Sequence, residues 1–188
     1  MSHGTFSGNP KTEWLVDHNG KDRNMKLLED FSYTDPQGKI WKAPADSEIN
    51  GASIPRALWS TVGSPYTDDY RRASIVHDVA CNAASSARTR KEADVMFYHA
   101  CLAGGCDFLQ AAVLYAGVRI GAWADQNLPQ RIVTGDSKQL LKMVTKMPID
   151  DHFIQEKLKS ITNDIKELSD SASLSEIDAL IENHIRIQ

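Results

Sequence analysis

The stretch SIVHDVACN, residues 74–82, sets His77 beside Asp78 in a run of small and apolar residues that reads as a buried helix. A histidine can take a proton from water or a hydroxyl near neutral pH. A carboxylate on its second ring nitrogen fixes the tautomer and orientation. A further carboxylate can hold a cation that polarises a carbonyl or phosphoryl oxygen.

Tyr70, Ser74, His77, Cys81 and Ala84 fall three or four residues apart and share one helix face, with Asp78 about 100° round from His77. A second helical run carries Arg90, Asp94, Phe97 and Cys101 along one stripe, with Tyr98 beside it. Folding the two runs back on each other about SSAR, residues 85–88, brings Asp94 to within about one turn, ~5 Å, of the level of His77. A third run offers Tyr115 and Arg119 one turn apart, and NGASIPR upstream supplies Asn50 and Ser53. Two chemistries fit. In one, His77 is a general base oriented by Asp94, with Asp78 or a cation beside it. In the other, Ser53 is a nucleophile, His77 its base and Asp94 the orienter. The structural alternative is a satisfied core histidine, with Asp94 and Arg119 as a buried bridge.

The elements that must position these groups are short strands, then helices. DHNGKD and DPQG are hairpin signals, and Phe31, Tyr33, Ile40 and Trp41 flank the second. Residues 46–66 are a Gly-, Pro- and Ser-dense loop that packs down through Ile49, Ile54, Leu58 and Trp59. Helices are expected at about 67–86, opening with Thr67-Asp68-Asp69, at about 89–103 with Thr89 as cap, and at about 107–124 with Asp107 as cap. Their short links predict antiparallel neighbours. Ile154, Leu158, Ile161, Ile165 and Leu168 then make one apolar stripe, and Ser173 with Glu176 reads as a capping box opening a last helix. The fold class is α+β, mainly α: N-terminal β-hairpins on an antiparallel three-helix core, plus a C-terminal helical hairpin. The organisation is a globular unit over 1–130 and a helical extension over 131–188. That extension either packs on its own domain or docks a partner or second copy.

The 188 residues carry a net charge of −4, with only short basic pairs, so nucleic acid is not an expected partner. No stretch approaches the ~20 apolar residues of a membrane span. The N-terminus lacks the basic and apolar regions of a secretory signal. Three cysteines at irregular spacing, Cys81, Cys101 and Cys106, argue for buried thiols made in a reducing cytoplasm rather than a disulfide framework or a thiol zinc site.

Taken in order, NGASIPRALW, YRRASIVHDVAC, RKEADVMFYHACLAGG and AAVLYAGVRIGAW resemble the domain of unknown function 1353 family over about residues 4–125. That family typically shows Asp-Gly-Ala-Ser-x-Pro-Arg, then His-Asp, then Arg-x-x-Ala-Asp-x-x-Phe, which map to Asn50–Arg56, His77-Asp78 and Arg90–Phe97. The departure is Asn50 in place of an aspartate, which weakens any metal site there. The resemblance implies a phage, prophage or secretion-locus setting. Within that setting an antibacterial toxin or phage component is expected, with export or virion assembly following synthesis without a signal peptide. The helices of 150–188 have no counterpart in the resemblance; an immunity or delivery protein, or a second copy, is the partner expected there if they dock one. The His-Asp arrangement is similar, too, to secreted phospholipase A2 enzymes. By that likeness His77 would be the base, Asp94 its orienter and Asp78 the ligand of a metal ion. Asn50, at the family's aspartate position, is the second candidate ligand of a calcium or zinc ion, and Arg90, Tyr98, Tyr115 and Arg119 are candidate supporting residues. The activity implied is hydrolysis of a lipid ester or cell-wall material. The alternative is a non-catalytic phage or secretion-apparatus component held together by a His–Asp–Arg network.

Overall fold

The computed structural model describes residues 2–16, 24–51, 54–55, 58–59, 63, 69–127, 130–134, 142–146 and 151–186, the backbone alone being described over 126–146. The N-terminal strands form two three-stranded antiparallel sheets. One has the order β1 (Thr5–Phe6), β4 (Phe31–Thr34), β5 (Ile40–Ala43). The other has β2 (Thr12–Trp14), β3 (Met25–Leu27), β6 (Glu48–Ile49). The β4–β5 turn is the expected DPQG. Asp35 Oδ1 accepts from the backbone N–H of Gln37 and Lys39 at 3.0 and 2.9 Å, and Gly38 supplies the positive φ of 84° that the turn requires. Tyr33 pairs with Trp41 and Phe31 with Ala43, so alternation buries Phe31, Tyr33 and Ala43 on one face. The other expected hairpin turn, DHNGKD, lies outside the described residues, although the flanking β2 and β3 pair antiparallel.

Three helices follow: α1 (Arg71–Asn82), α2 (Ala87–Gly104) and α3 (Phe108–Asn127). Helix α1 is shorter than its sequence pattern predicts. It starts after Tyr70 with no side-chain cap, and it ends at Asn82 because Ser86 is taken by the next helix. Ser86, extended at φ −154°, and Thr89 close a reciprocal capping box, so Ser86 is the cap and Thr89 the third helical residue. Gly105, at φ 118°, ends α2 by returning its N–H to the helix. Asp107 caps α3 by accepting from Gln110 N at 2.7 Å. Asp94 meets Arg119 and Tyr98 meets Tyr115, so moving four residues forward on α2 moves four back on α3. That is the antiparallel packing expected. Helix α1 rests on β4, β5 and β6, which joins the strands to the bundle.

At the start of the segment read as a helical extension, 131–188, lies an antiparallel strand pair, β7 (Gln130–Thr134) with β8 (Lys142–Lys146). The tail then makes α4 (Asp151–Lys166) and α5 (Leu174–Arg186). The capping box is present: Glu176 N donates to Ser173 Oγ at 3.3 Å and Ser173 N to Glu176 Oε2 at 2.8 Å. Ile154, Leu158, Ile161 and Ile165 on α4 and Ile177, Ile181 and Ile185 on α5 are buried in the same core as α3. Their apolar stripes are therefore spent on the chain's own third helix. Among the described residues no helix is long and apolar enough to cross a membrane.

Candidate functional site

The α1–α2 pairing brings His77 and Asp94 together. His77 Nε2 lies 2.8 Å from Asp94 Oδ1, and neither side chain has any exposed surface. Both residues face inward by helical spacing: His77 lies one turn before Cys81, and Asp94 three residues before Phe97, whose ring packs on the imidazole at a centroid distance of 4.6 Å. Cys81 Sγ stands 3.3 Å from Nε2 and 3.8 Å from Nδ1. Burial alone would lower the histidine's pKa. The hydrogen bond to Asp94, with the Cys81 thiol behind it, overrides burial and raises the pKa to about 9. The imidazole is therefore cationic at neutral pH.

Asp94 carries more than the histidine. Arg119 Nη1 approaches its Oδ2 at 3.3 Å, and Arg90 Nε stands 3.6 Å from Oδ1. Arg119 continues outward to Glu182 Oε1 at 2.8 Å. Tyr115 donates to Asp178 Oδ1 at 2.8 Å, and Lys91 Nζ meets Asp178 Oδ2 at 2.6 Å and Glu182 at 3.4 Å. Burial works against the charge on Asp178, yet Lys91 and Tyr115 hold it below the usual carboxylate range. A relay of paired charges thus runs from His77 through Asp94 and Arg119 to the last helix.

Of the residues singled out in the sequence, His77, Asp94, Arg90 and Arg119 converge. Tyr115 joins through α5, while Tyr98 is buried edge-on to Tyr115 at 5.9 Å and stays outside the imidazole's contacts. Asp78 is buried but turns away from the dyad: its Oδ2 accepts from Asn50 N at 2.7 Å, with a second bond from the Gly51 N–H, and burial raises its pKa. Asn50 therefore reaches Asp78 through its backbone, and its residue is exposed. Ser53 lies outside the described residues. Sequence reasoning missed three participants. Cys81 was one turn from His77 but was read as a plain apolar thiol. Asp178 and Glu182 carried no signal, because α5 reads as a solvated amphipathic helix until it is docked.

The donor sets do not fit a cation in this arrangement. His77, Cys81 and Asp94 bring three ligand atoms within 4.8 Å of one another. Two ligands on a tetrahedral zinc, at about 2.0–2.1 Å from it, would stand roughly 3.4 Å apart. The 2.8 Å between Nε2 and Oδ1 is a hydrogen bond instead. Two guanidinium groups stand on Asp94, and Asp78 accepts from the backbone N–H groups of Asn50 and Gly51. A cysteine nucleophile triad does not fit either, since such a triad places thiol and carboxylate on different ring nitrogens and here Nε2 is nearest to both. A cavity of about 280 Å³ opens against Cys81 and Arg90, the side chains that border the dyad.

Fold and site define an α+β domain in which a His–Asp dyad is locked between two antiparallel helices. The chain belongs to the family described as Protein of unknown function (DUF1353), whose model matches residues 25–118, half of the chain. It is similar to two proteins of Sinorhizobium fredii (strain NBRC 101917 / NGR234). It is 35% identical to Uncharacterized protein y4jT over 116 residues, 61% of this chain and 33% of that protein. It is 38% identical to Uncharacterized protein y4iH over 104 residues, 55% of this chain and 43% of that protein. The chain thus spans a third to somewhat under half of the length of these relatives. No solved structure matches it. The family match contains His77, Asp78, Arg90 and Asp94, whereas Asp178 and Glu182 lie beyond it.

Proposed function

We propose that this chain is a hydrolase in which Asp94 orients His77 as the acid–base group for attack of water on an ester. The observation that carries the reading is the 2.8 Å bond from Nε2 to Asp94, which leaves Nδ1 as the nitrogen that handles the proton. In its neutral form His77 takes a proton at Nδ1 from a water as that water's oxygen bonds to the substrate carbonyl carbon. The imidazolium then returns the proton to the leaving alkoxide as its bond to carbon breaks. The imidazole is sealed, so water reaches Nδ1 only on opening. The substrate class is the one the sequence suggests, a lipid ester or cell-wall material, in a phage-related or antibacterial-toxin setting. The reading does not call on a calcium or zinc ion, since the neutral imidazole itself takes the proton from water. A partner of the 150–188 segment meets the outer face of α4 and α5, since their isoleucines are spent on α3.

Purified protein assayed on phospholipid vesicles and on murein tests this. Hydrolysis lost by at least a hundredfold in His77→Ala, with native circular dichroism, is the expected result. An unchanged rate removes His77 from the chemistry. One observation favours a second reading, a structural strut: neither His77 nor Asp94 has exposed surface. It predicts no activity at all and a sharp loss of melting temperature in Asp94→Asn.

A further inference from the structure

A second cavity is lined by Arg119, which holds Asp94 Oδ2, but not by His77. It is a cleft of about 720 Å³ between the β4–β5 turn, helix α2 and Arg119, within the range of small-molecule sites. Its wall is built rather than accidental. Asp35 Oδ2 accepts from Trp41 Nε1 at 2.9 Å, which fixes the indole, and Lys39 Nζ lies 3.7 Å from the indole ring centroid. Val95 and Met96 of α2 add apolar surface.

The charges around this wall are uneven. Four cations line the cleft, Lys39, Arg88, Lys91 and Arg119, against the carboxylates of Asp35 and Glu92. Both oxygens of Asp35 are taken by N–H donors of its own turn and by Trp41. Glu92 is shared between Lys39 at 3.5 Å and Arg88 at 3.3 Å. Lys91 and Arg119 are left to carboxylates that come from outside the cleft: Asp178 and Glu182 of α5, and Asp94 behind Arg119. Glu182 Oε1, with Asp178 beside it, thus stands between Lys91 and Arg119, two cations that line the cleft next to its aromatic and aliphatic wall.

We propose that this cleft binds one small anionic amphiphile, its chain or ring against Trp41, Val95 and Met96 and its acidic head between Lys91 and Arg119 in competition with Glu182. Among the described residues the cleft meets the dyad only through Arg119, and its test reads binding, not hydrolysis.

The test is calorimetric titration of the full chain with dodecanoate below its micellar concentration. Dodecyltrimethylammonium and inorganic phosphate are titrated in parallel. The expected result is one site for dodecanoate, at least tenfold weaker or no binding for the other two, and a shift of the Trp41 indole N–H resonance. Val95→Trp, which fills the cleft, should weaken binding at least tenfold, with Trp41→Ala as the second variant if that protein does not fold. Glu182→Gln, which removes the competitor, should tighten binding about threefold. Equal binding of the cationic amphiphile, several sites indifferent to Val95→Trp and Trp41→Ala, or no heat at millimolar dodecanoate would each overturn the proposal.

Discussion

Replacing Asp94 by asparagine keeps the shape of the side chain and removes its charge. Two effects should then separate by pH. The first is a loss common to every pH: Arg90 and Arg119 stay cationic, and their shared carboxylate is gone. Breaking a buried pair by removing one partner costs about 3–5 kcal/mol. The second effect belongs to His77. Its folded pKa of about 9 lies above the ordinary 6.5. A raised pKa means the folded state binds the proton more tightly, so its contribution is complete below about pH 6.5 and is lost as pH rises through 9. At 1.36 kcal/mol per unit the difference amounts to roughly 3 kcal/mol. Chemical denaturation of both proteins from pH 6 to 10 measures this. The stability gap between wild type and Asp94→Asn should shrink by about 3 kcal/mol across that range. At pH 6 the two effects together approach the whole stability of a domain, so the variant is best measured with a stabilising osmolyte at equal concentration in both. A gap constant with pH would refute the claim that Asp94 holds a cationic histidine.

The remaining expectations are narrower. If His77 is the base, the hydrolytic rate should rise about tenfold per pH unit up to about pH 9 and then level, since only the neutral imidazole accepts a proton; a profile flat from pH 6 to 9 contradicts the assignment. Tyr115→Phe removes the donor to Asp178 and should cost about 1–2 kcal/mol in urea denaturation. Ile181→Ala, at a fully buried position of α5, should cost about 2–5 kcal/mol and show that the tail is integral to the core. Gly104→Ala should destabilise strongly, because a Cβ there would meet the Asp69 carbonyl oxygen at 2.2 Å, whereas Gly117→Ala meets Ile54 Cγ2 at 3.4 Å and should be mild; melting curves of the pair decide.

Much of this arrangement was legible because helices translate sequence spacing into faces. His77, Cys81, Asp94, Phe97 and Arg119 follow three- and four-residue steps, so folding α1, α2 and α3 back on one another was enough to place Asp94 beside His77. The capping box at Ser173 was readable for the same local reason. Helix ends were less so, because Ser86 and Thr89 are both plausible caps and only the extended backbone at Ser86 decides between them. Tertiary choices left no mark in the local pattern. Asp78 follows His77 directly, yet it faces the 50–51 backbone rather than the dyad, a fact fixed by where the strand β6 delivers Asn50. The charge relay into α5 depends on a contact between residues 63 apart, which periodicity cannot show.

That relay bears on how the core is held. An apolar triad in place of His77, Asp94 and Arg119 would avoid the desolvation of several charges, and such replacements are often neutral or stabilising in buried sites. Simple stability is thus a weak reason for the network. A directional reason is stronger. Arg119 has one side on Asp94 and the other on Glu182, so it can bond well to both only when α5 is seated. Removing the tail would leave Arg119 and Lys91 facing the 720 Å³ cleft without their outer carboxylates, and would change the field at Asp94, one side chain from the imidazole. A single guanidinium therefore joins the seat of the last helix to Asp94, the carboxylate on His77 Nε2. Exchanging Glu182 for glutamine should register at both ends, as altered ligand affinity in the cleft and as a measurable change in the titration of the His77 ring.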